Sequence, residues 1–305
     1  MCDVYLVAGA CGFIGRHVSA QLARSGAKVI GVGHGSWPKD SWRKWGLSNW
    51  IQGEITKELL SQIETIPDGI INCAGESSVK SSFTEISSKR NKTLESGVEI
   101  LKYAKEYAPM SRIVILSSAA VYGESRFLPI DEEASLNPIS PYGNDKLKLE
   151  KLCEAEAATN NLSIVILRLF SIYGEELRKQ LFWDACVKYM NDDFHFSGSG
   201  FEKRDWLHIT DAVNLICAVI NEATTDCCIF NGGSGKSTTI KEALELIAFY
   251  MGGQLTAEFS GISREGDPIG YEADISRAKT LGWSPEVDLE SGVSTYCSWF
   301  KEIYG

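Results

Sequence analysis

The longest apolar runs of the 305-residue chain, such as 215–220, fall far short of the roughly 20 residues that a membrane-crossing helix needs. The first residues, MCDVYLVAGACGFIG, lack the basic start of a secretory leader and reach a glycine-rich turn after a few apolar positions, so no signal peptide is expected. No run of Lys and Arg offsets an excess of 40 acidic over 30 basic side chains. A formal charge of −10 repels nucleic acid and anionic membranes alike, and neither is expected as a partner. No CxxC or HExxH pattern occurs, and the nine cysteines are odd in number. Only Cys227 and Cys228 are close-spaced, and adjacent residues can hardly bridge each other or share a zinc ion. The expectation is buried free thiols in a reducing cytoplasm, with no metal site. There is no internal repeat and no linker long enough to separate independent domains.

What is present is ordinary globular composition, 44% hydrophobic and 23% charged. Short apolar runs alternate with helical patterns through the first half. Strands are predicted at 4–8, 29–33, 50–53, 69–74, 112–118 and 163–170, with helices starting near Phe13, Thr56, Lys89 and Tyr142. Such alternation implies an α/β fold, a doubly wound parallel sheet of Rossmann type. After Gly174 the segments shorten and turns multiply, which implies a smaller C-terminal lobe. Leu289, Val293, Cys297, Phe300 and Tyr304 recur at helical spacing and predict a closing helix.

Gly9, Gly12 and Gly15 form a GxxGxxG turn between the first strand and a helix. Glycine there lets the chain bend sharply, lets a diphosphate approach the backbone and lets helix and sheet pack closely. The helix start then offers N–H groups and partial positive charge to an anion. The second strand ends Val32-Gly33-His34-Gly35, without the Asp or Glu that usually accepts from an NAD ribose. That absence permits NADP, which is the preferred expectation, with NAD as the alternative. Arg43, helped by Lys39 or Lys44, is the candidate for a 2′-phosphate; the alternative is a set of solvated charges beside a tryptophan patch. The run Asn231-Gly-Gly-Ser-Gly-Lys-Ser-Thr imitates a phosphate loop, but its first glycine would fall on Phe230. It reads instead as a turn between a strand ending near Asn231 and a helix starting near Thr238 or Thr239.

Tyr142 and Lys146 are four residues apart at a predicted helix start, which sets phenol and ammonium one turn apart on one face. Ser118 closes a strongly apolar strand whose C-terminal end should face the ligand crevice. Moving a hydride to or from a carbinol carbon requires moving a proton on its oxygen. A phenol of pKa about 10 is too weak a base at neutral pH. An ammonium about 5 Å away, at an effective dielectric of about 20, contributes about 3 kcal/mol and lowers that pKa by about two units. Ser118 would hold the reacting oxygen.

These motifs resemble the extended short-chain dehydrogenase/reductases that act on nucleotide-diphosphate sugars, the epimerase/dehydratase family, and the resemblance spans essentially the whole chain. It includes Ile71-Asn-Cys-Ala74-Gly75, Arg168-Leu-Phe-Ser171-Ile-Tyr-Gly174, Lys203-Arg204-Asp205-Trp206-Leu-His208 and Arg264-Glu-Gly-Asp267. It implies an NAD(P)-binding domain at 1–174, to which one strand and helix at about 205–235 return, and a mainly nucleotide-sugar-binding lobe at 175–305. It implies Ser118, Tyr142 and Lys146 as catalytic residues. Cofactor contacts are implied at Gly9, Gly12, Phe13, Ile14, Gly15, His34, Arg43, Glu54, Ile55, Ala74, Gly75 and Asn91, together with Tyr142 and Lys146. Substrate contacts are implied at Ser78, Ala119, Ser171, Arg204, Arg264 and Asp267. Ser171 stands where the family usually has Asn. For Arg204 the alternative is an ion pair with Asp205 or Asp211.

Within that family, dehydratases carry an Asp-Glu pair after the serine, decarboxylases keep a Glu nearby and 3,5-epimerising reductases use a Cys. Here Ala119 and Ala120 follow. Neither can move a proton, which leaves two reactions. One is reduction of a nucleotide-linked 4-keto-6-deoxyhexose by NADPH, preferred because no acid follows Val32 and because Ser171 replaces the usual Asn. The other is 4-epimerisation with tightly held NAD. A non-catalytic dinucleotide sensor is the remote third reading, opposed by the intact Ser118, Tyr142 and Lys146. A homodimer is implied through the helices at 89–107 and 142–160.

Overall fold

The structure, a computed structural model, describes residues 2–75, 92–125, 127–262 and 268–304. Among them, β1 (Val4–Ala8), β2 (Lys28–Gly33), β3 (Leu47–Gln52), β4 (Gly69–Asn72), β5 (Arg112–Ser118) and β6 (Ser163–Leu169) alternate with helices Phe13–Arg24, Lys57–Leu60, Lys92–Tyr107 and Pro141–Asn160. Next come β7 (Ser171–Tyr173), helix Gln180–Met190, β8 (His195–Phe196), β9 (Lys203–His208), helix Ile209–Val219 and β10 (Cys228–Gly232). The last elements are β11 (Ser237–Thr239), helix Ile240–Met251, β12 (Glu258–Phe259), helix Ser276–Lys279 and the closing helix Leu289–Tyr304. No helix among the described residues is long and apolar enough to cross a membrane.

Seven strands form one sheet in the order β10-β6-β5-β4-β1-β2-β3. The pairs β1·β2, β1·β4, β2·β3 and β4·β5 are parallel. The chain winds outward from β1 to β3, then crosses to β4 on the other side of β1, so the expected doubly wound architecture is present. All of β4 is buried, as are Ile113–Leu116 of β5 and Ile164–Leu169 of β6. Continuous burial is what a strand covered by helices on both faces requires.

Helix Pro141–Asn160 shows how local sequence sets its own limits. Ser140 caps it, its Oγ accepting from the N–H of Gly143 at 3.1 Å, and Pro141 fills the first turn. Asn161 ends it in the left-handed region, at φ 54°. Its buried stripe is Gly143, Lys146, Leu149, Glu150, Cys153 and Ala157, recurring on one face at helical spacing. Two charged side chains in a buried stripe call for partners.

The chain divides into two compact units. One is Met1–Val121, Ser140–Arg168 and Val213–Phe230; the other is Tyr122–Ile139, Leu169–Ala212 and Asn231–Gly305. The sequence expectation placed the division at 174 and the returning segment at about 205–235. In the structure the segment that returns to the first unit is Val213–Phe230, which leads into β10 beside β6, while β9 stays in the second unit, paired parallel with β7 and antiparallel with β11. The core of that unit joins Tyr173, Phe182, Phe194, Leu244, Ile247, Tyr296 and Phe300.

The imitation phosphate loop lies in this unit, and its amides are already engaged. The fully buried Asp205 carboxylate accepts from the N–H groups of Ser234, Gly235 and Ala273 and from Ser234 Oγ. Burial pushes the Asp205 carboxyl up from its ordinary value, while those bonds pull it down. The turn is thus organised around an internal anion. It leads into the short β11, not directly into a helix; the helix begins at Ile240 behind a Thr239–Glu242 capping box. All nine cysteines are free, but only Cys153, Cys186, Cys227 and Cys297 are buried, and Cys2 is exposed. The expectation of generally buried thiols overstated what an apolar neighbourhood in sequence implies about depth.

Candidate active site

β1 delivers the chain into Gly9, whose φ of +76° favours glycine and whose N–H donates to Val32 O at 2.8 Å. A Cβ on Gly9 would come within 2.8 Å of Ala74 N, and one on Gly15 within 2.3 Å of Gly9 O. The turn, the end of β4 and the first helix therefore touch through bare backbone. Gly12 is exposed and serves as N-cap of helix Phe13–Arg24, with no side chain capping that end. Its first-turn N–H groups suit a diphosphate. Substituting Ala for Gly15 should separate helix from turn and weaken dinucleotide binding at least ~10-fold, a loss of about 1.4 kcal/mol. Quenching of tryptophan fluorescence during titration would read that loss, and unchanged affinity would show that this packing does not shape the binding turn.

Beside the turn opens a cavity of about 650 Å³, whose lining includes Gly9, Gly12, His34, Glu54, Ile55, Ala74 and Gly75, all expected at the cofactor. Among the described residues, Cys11, Gly33, Gly35, Thr56, Cys73, Glu95, Ser96 and Glu99 line it too, and none of them was assigned to the cofactor from the sequence. The last three sit on helix Lys92–Tyr107, and no turn signature in the sequence advertises them. Phe13 and Ile14 occupy the first helical turn half-buried, Phe13 packing against His17 at 5.2 Å. Neither they nor Gly15 lines the cavity.

Arg43 lies outside it as well. It is 65% exposed, 3.8 Å from Asp40, with its guanidinium 4.3 Å above the Trp42 ring. A guanidinium bonded to the glycine turn itself belongs to Arg16. Its Nη2 donates to Cys11 O at 2.8 Å, and it is flanked by the rings of Trp37 and Trp45 at 5.6 and 5.3 Å. Sequence spacing pointed to Arg43 because it follows the second strand; Arg16 gave no signal beyond its place after Gly15.

Ser118 ends β5 half-buried, with Oγ accepting from Ala120 N at 3.2 Å. Ala119 and Ala120 behind it are 2% and 8% exposed. Tyr142 is half-buried in the first turn of helix Pro141–Asn160, and Lys146 lies one turn on, with Nζ 5.8 Å from the Tyr142 ring centre. Lys146 is 5% exposed and donates to Leu116 O at 2.7 Å. Burial pulls its pKa down to about 8, opposed by the Glu150 carboxylate. The Cys73 thiol is itself pushed up to about 12 by burial, so it stays neutral near pH 8. Lys146 is therefore an ammonium below about pH 8 and loses its charge as the pH rises through that value. The arrangement can exchange a proton with an alcohol oxygen by way of a phenol whose ionisation the ammonium favours.

Of the expected substrate contacts, Ser171 begins β7 and Arg204 lies on β9, both in the second unit. Arg204 Nη1 donates to the carbonyls of Lys203 and Pro268 at 2.8 and 2.9 Å. Asp205 holds the turn described above, and the Asp211 carboxylate accepts from the N–H of Val287. Ser78, Asn91, Arg264 and Asp267 lie outside the described residues.

The sequence model of the NAD dependent epimerase/dehydratase family matches residues 5–231. A UDP-glucose 4-epimerase of Halalkalibacterium halodurans is 29% identical over 97% of this chain and 95% of its own. A UDP-glucuronate 4-epimerase of Thermodesulfobacterium geofontis is 26% identical over 98% and 96%. Among solved structures, a UDP-glucose 4-epimerase of Thermotoga maritima with UDP-glucose superposes with a TM-score of 0.88. It is 25% identical, and the match covers 99% of this chain and 100% of that one. MoeE5 in complex with UDP-glucose and NAD gives 0.87 at the same identity, with the same coverage of both chains.

Proposed function

Because the chain belongs to the NAD dependent epimerase/dehydratase family of nucleotide-sugar enzymes, we propose that it is a 4-epimerase of UDP-linked hexoses that keeps its NAD bound through the reaction. The observation that carries this reading is Ser118, Tyr142 and Lys146 in one unit with only buried Ala119 and Ala120 following the serine. That set can move a proton on one sugar oxygen and holds no second acid, base or thiol with which to eliminate water or epimerise a neighbouring carbon.

The relatives favour this epimerase reading over the NADPH-dependent ketoreductase that the sequence alone preferred. That preference rested on the missing acid after Val32 and on Ser171 in place of Asn, whereas a UDP-glucose 4-epimerase and a UDP-glucuronate 4-epimerase match nearly the whole chain. NADP is set aside in the same way. Arg43 stands against Asp40 and lies outside the cavity, whose lining includes Glu54, Glu95 and Glu99 and no Lys or Arg among the described residues.

The glycine turn, the uncapped helix start and the cavity beside them suit a dinucleotide, held through Gly9, Gly12, His34, Glu54, Ile55, Ala74 and Gly75. When bound, NAD supplies the hydride acceptor and donor. Tyr142 takes the proton of the C4 hydroxyl and later returns it, so one acid–base group serves both directions. Lys146 keeps the phenolate stable, and Ser118 holds O4. Ser171, Arg204, Arg264 and Asp267 are assigned to the nucleotide sugar, guanidinium being matched to phosphate.

Two tubes test the assignment. Purified protein with UDP-glucose and no added cofactor should form UDP-galactose, and denaturing it should release NAD. The second tube holds a 4-keto-6-deoxy nucleotide sugar and NADPH; NADPH consumption there, with no epimer in the first, reinstates the reductase.

Cytoplasmic residence and pairing of two copies through helices Lys92–Tyr107 and Pro141–Asn160 belong to the same proposal. Among the described residues of those helices, Tyr107 is the only large apolar side chain exposed, and charges such as Lys102, Lys148 and Lys151 dominate the open face. A pairing there should be polar and salt-sensitive. Light scattering should give twice 33.6 kDa at low salt and a falling mass as salt rises; a single-chain mass at low salt removes it.

A further inference from the structure

Glu150 occupies the buried stripe of helix Pro141–Asn160 one turn beyond Lys146 and is 1% exposed. Its carboxylate is fully engaged. Arg168 of β6, 2% exposed, donates Nε to Oε1 at 3.1 Å and Nη2 to Oε2 at 2.9 Å, a two-pronged pair. Ser117 of β5, 4% exposed, donates its hydroxyl to Oε1. Three consecutive elements of the chain thus meet at one carboxylate. Ser117 precedes Ser118, so successive strand side chains send one toward the clamp and the other to the opposite face.

We infer that Glu150 is a positioning residue, the anchor that ties the Tyr142–Lys146 helix to β5 and β6 and supplies Lys146 with its counter-charge. The inference rests on the proposed reaction only for its catalytic consequence. Geometry carries the mechanical half: the helix cannot slide or turn against the strands without breaking bonds to a buried carboxylate. Charge carries the other half. The groups facing Lys146 are Tyr142 and Glu150 on its own helix, the neutral thiol of Cys73 after β4 and the carbonyl of Leu116 on β5. Arg168 is bonded to the same Glu150 carboxylate. Counting Lys146, Arg168 and Glu150, this buried group holds two cations and one anion, an imbalance that ionised Tyr142 cancels. Removing Glu150 would leave the two cations together, and Lys146 would give up its proton first.

The test is an NMR titration of the protein as purified, with ¹³C-labelled lysine and the Lys146 signal identified by its loss in Lys146→Met. Wild-type Lys146 should titrate near pH 8. Glu150→Gln, equal in shape and uncharged, should lower that midpoint by about one unit and draw the alkaline limb of kcat down with it, with KM nearly unchanged. Ser117→Ala should lower the melting temperature yet leave the midpoint in place. Glu150→Asp, which keeps the charge, should hold the midpoint within about half a unit. It decides alone if the Gln variant does not fold. An unmoved midpoint in folded Glu150→Gln overturns the inference, as does an equal fall in Ser117→Ala or Glu150→Asp. The titration needs no sugar to turn over, so failure of the epimerase assignment is read separately, in the two-tube assay.

Discussion

Tyr142→Phe is expected to cut turnover by about 10³-fold while leaving dinucleotide affinity within about twofold. The substitution removes one oxygen from a half-buried ring in the first turn of its helix and leaves Ser140 to cap that helix as before. What is lost is the group that exchanges a proton with the sugar. A catalytic acid–base group is worth about 10²–10⁴ in rate, and this phenol is assigned both directions of transfer, which places it toward the upper end. The ammonium 5.8 Å from the ring centre stays where it was, still bonded to Leu116 O. Stopped-flow or coupled assays give kcat, and fluorescence titration gives the dinucleotide affinity. A variant that keeps more than about a tenth of wild-type turnover would mean that another group moves the proton.

Arg168→Met should destabilise the protein by about 3–5 kcal/mol, the largest stability loss expected of any single exchange discussed above. The guanidinium is 2% exposed and is the charged partner of a carboxylate 1% exposed. Removing it strands that carboxylate in the interior with Ser117 and the Lys146 charge as its remaining support. The double variant Arg168→Met with Glu150→Gln should recover a large part of the loss, since an uncharged pair no longer has to be kept out of water. Urea unfolding of the four proteins of this cycle measures both numbers. A loss below about 1 kcal/mol for Arg168→Met would show that water reaches the pair and that the clamp is loose.

Local chemistry made much of the fold readable. Gly12 before Phe13, Thr56 before Lys57 and Ser140-Pro141 before Tyr142 each mark a helix start by a backbone or capping need that acts over four residues. The strands of the large sheet were readable because burial on both faces leaves near-continuous apolar runs. Non-local pairing was not. β9 joins β7 and β11 through partners more than 30 residues away, pairings that periodicity along the chain could not reveal.

The candidate site divides in the same way. Ser118, Tyr142 and Lys146 were visible because two of them share one helical turn and the third ends an apolar strand. Glu150 was hidden in plain view, four residues past Lys146, since a lone Glu on a helix ordinarily faces solvent. Only the fold reveals Arg168, 18 residues on, as its partner. The preference for NADP found no support for a different reason. An acid missing from one strand end says what is not there, and the cation chosen to replace it, Arg43, is held by Asp40 and Trp42.

The central claim is that one phenol removes and restores the proton on O4 of a nucleotide sugar while the hydrogen on C4 never leaves the protein. Proton NMR of UDP-glucose incubated in heavy water with the protein as purified tests it directly. The account predicts UDP-galactose at equilibrium with protium retained at C4 and no added dinucleotide. Deuterium at C4, or no interconversion by a folded, NAD-loaded protein, would contradict it.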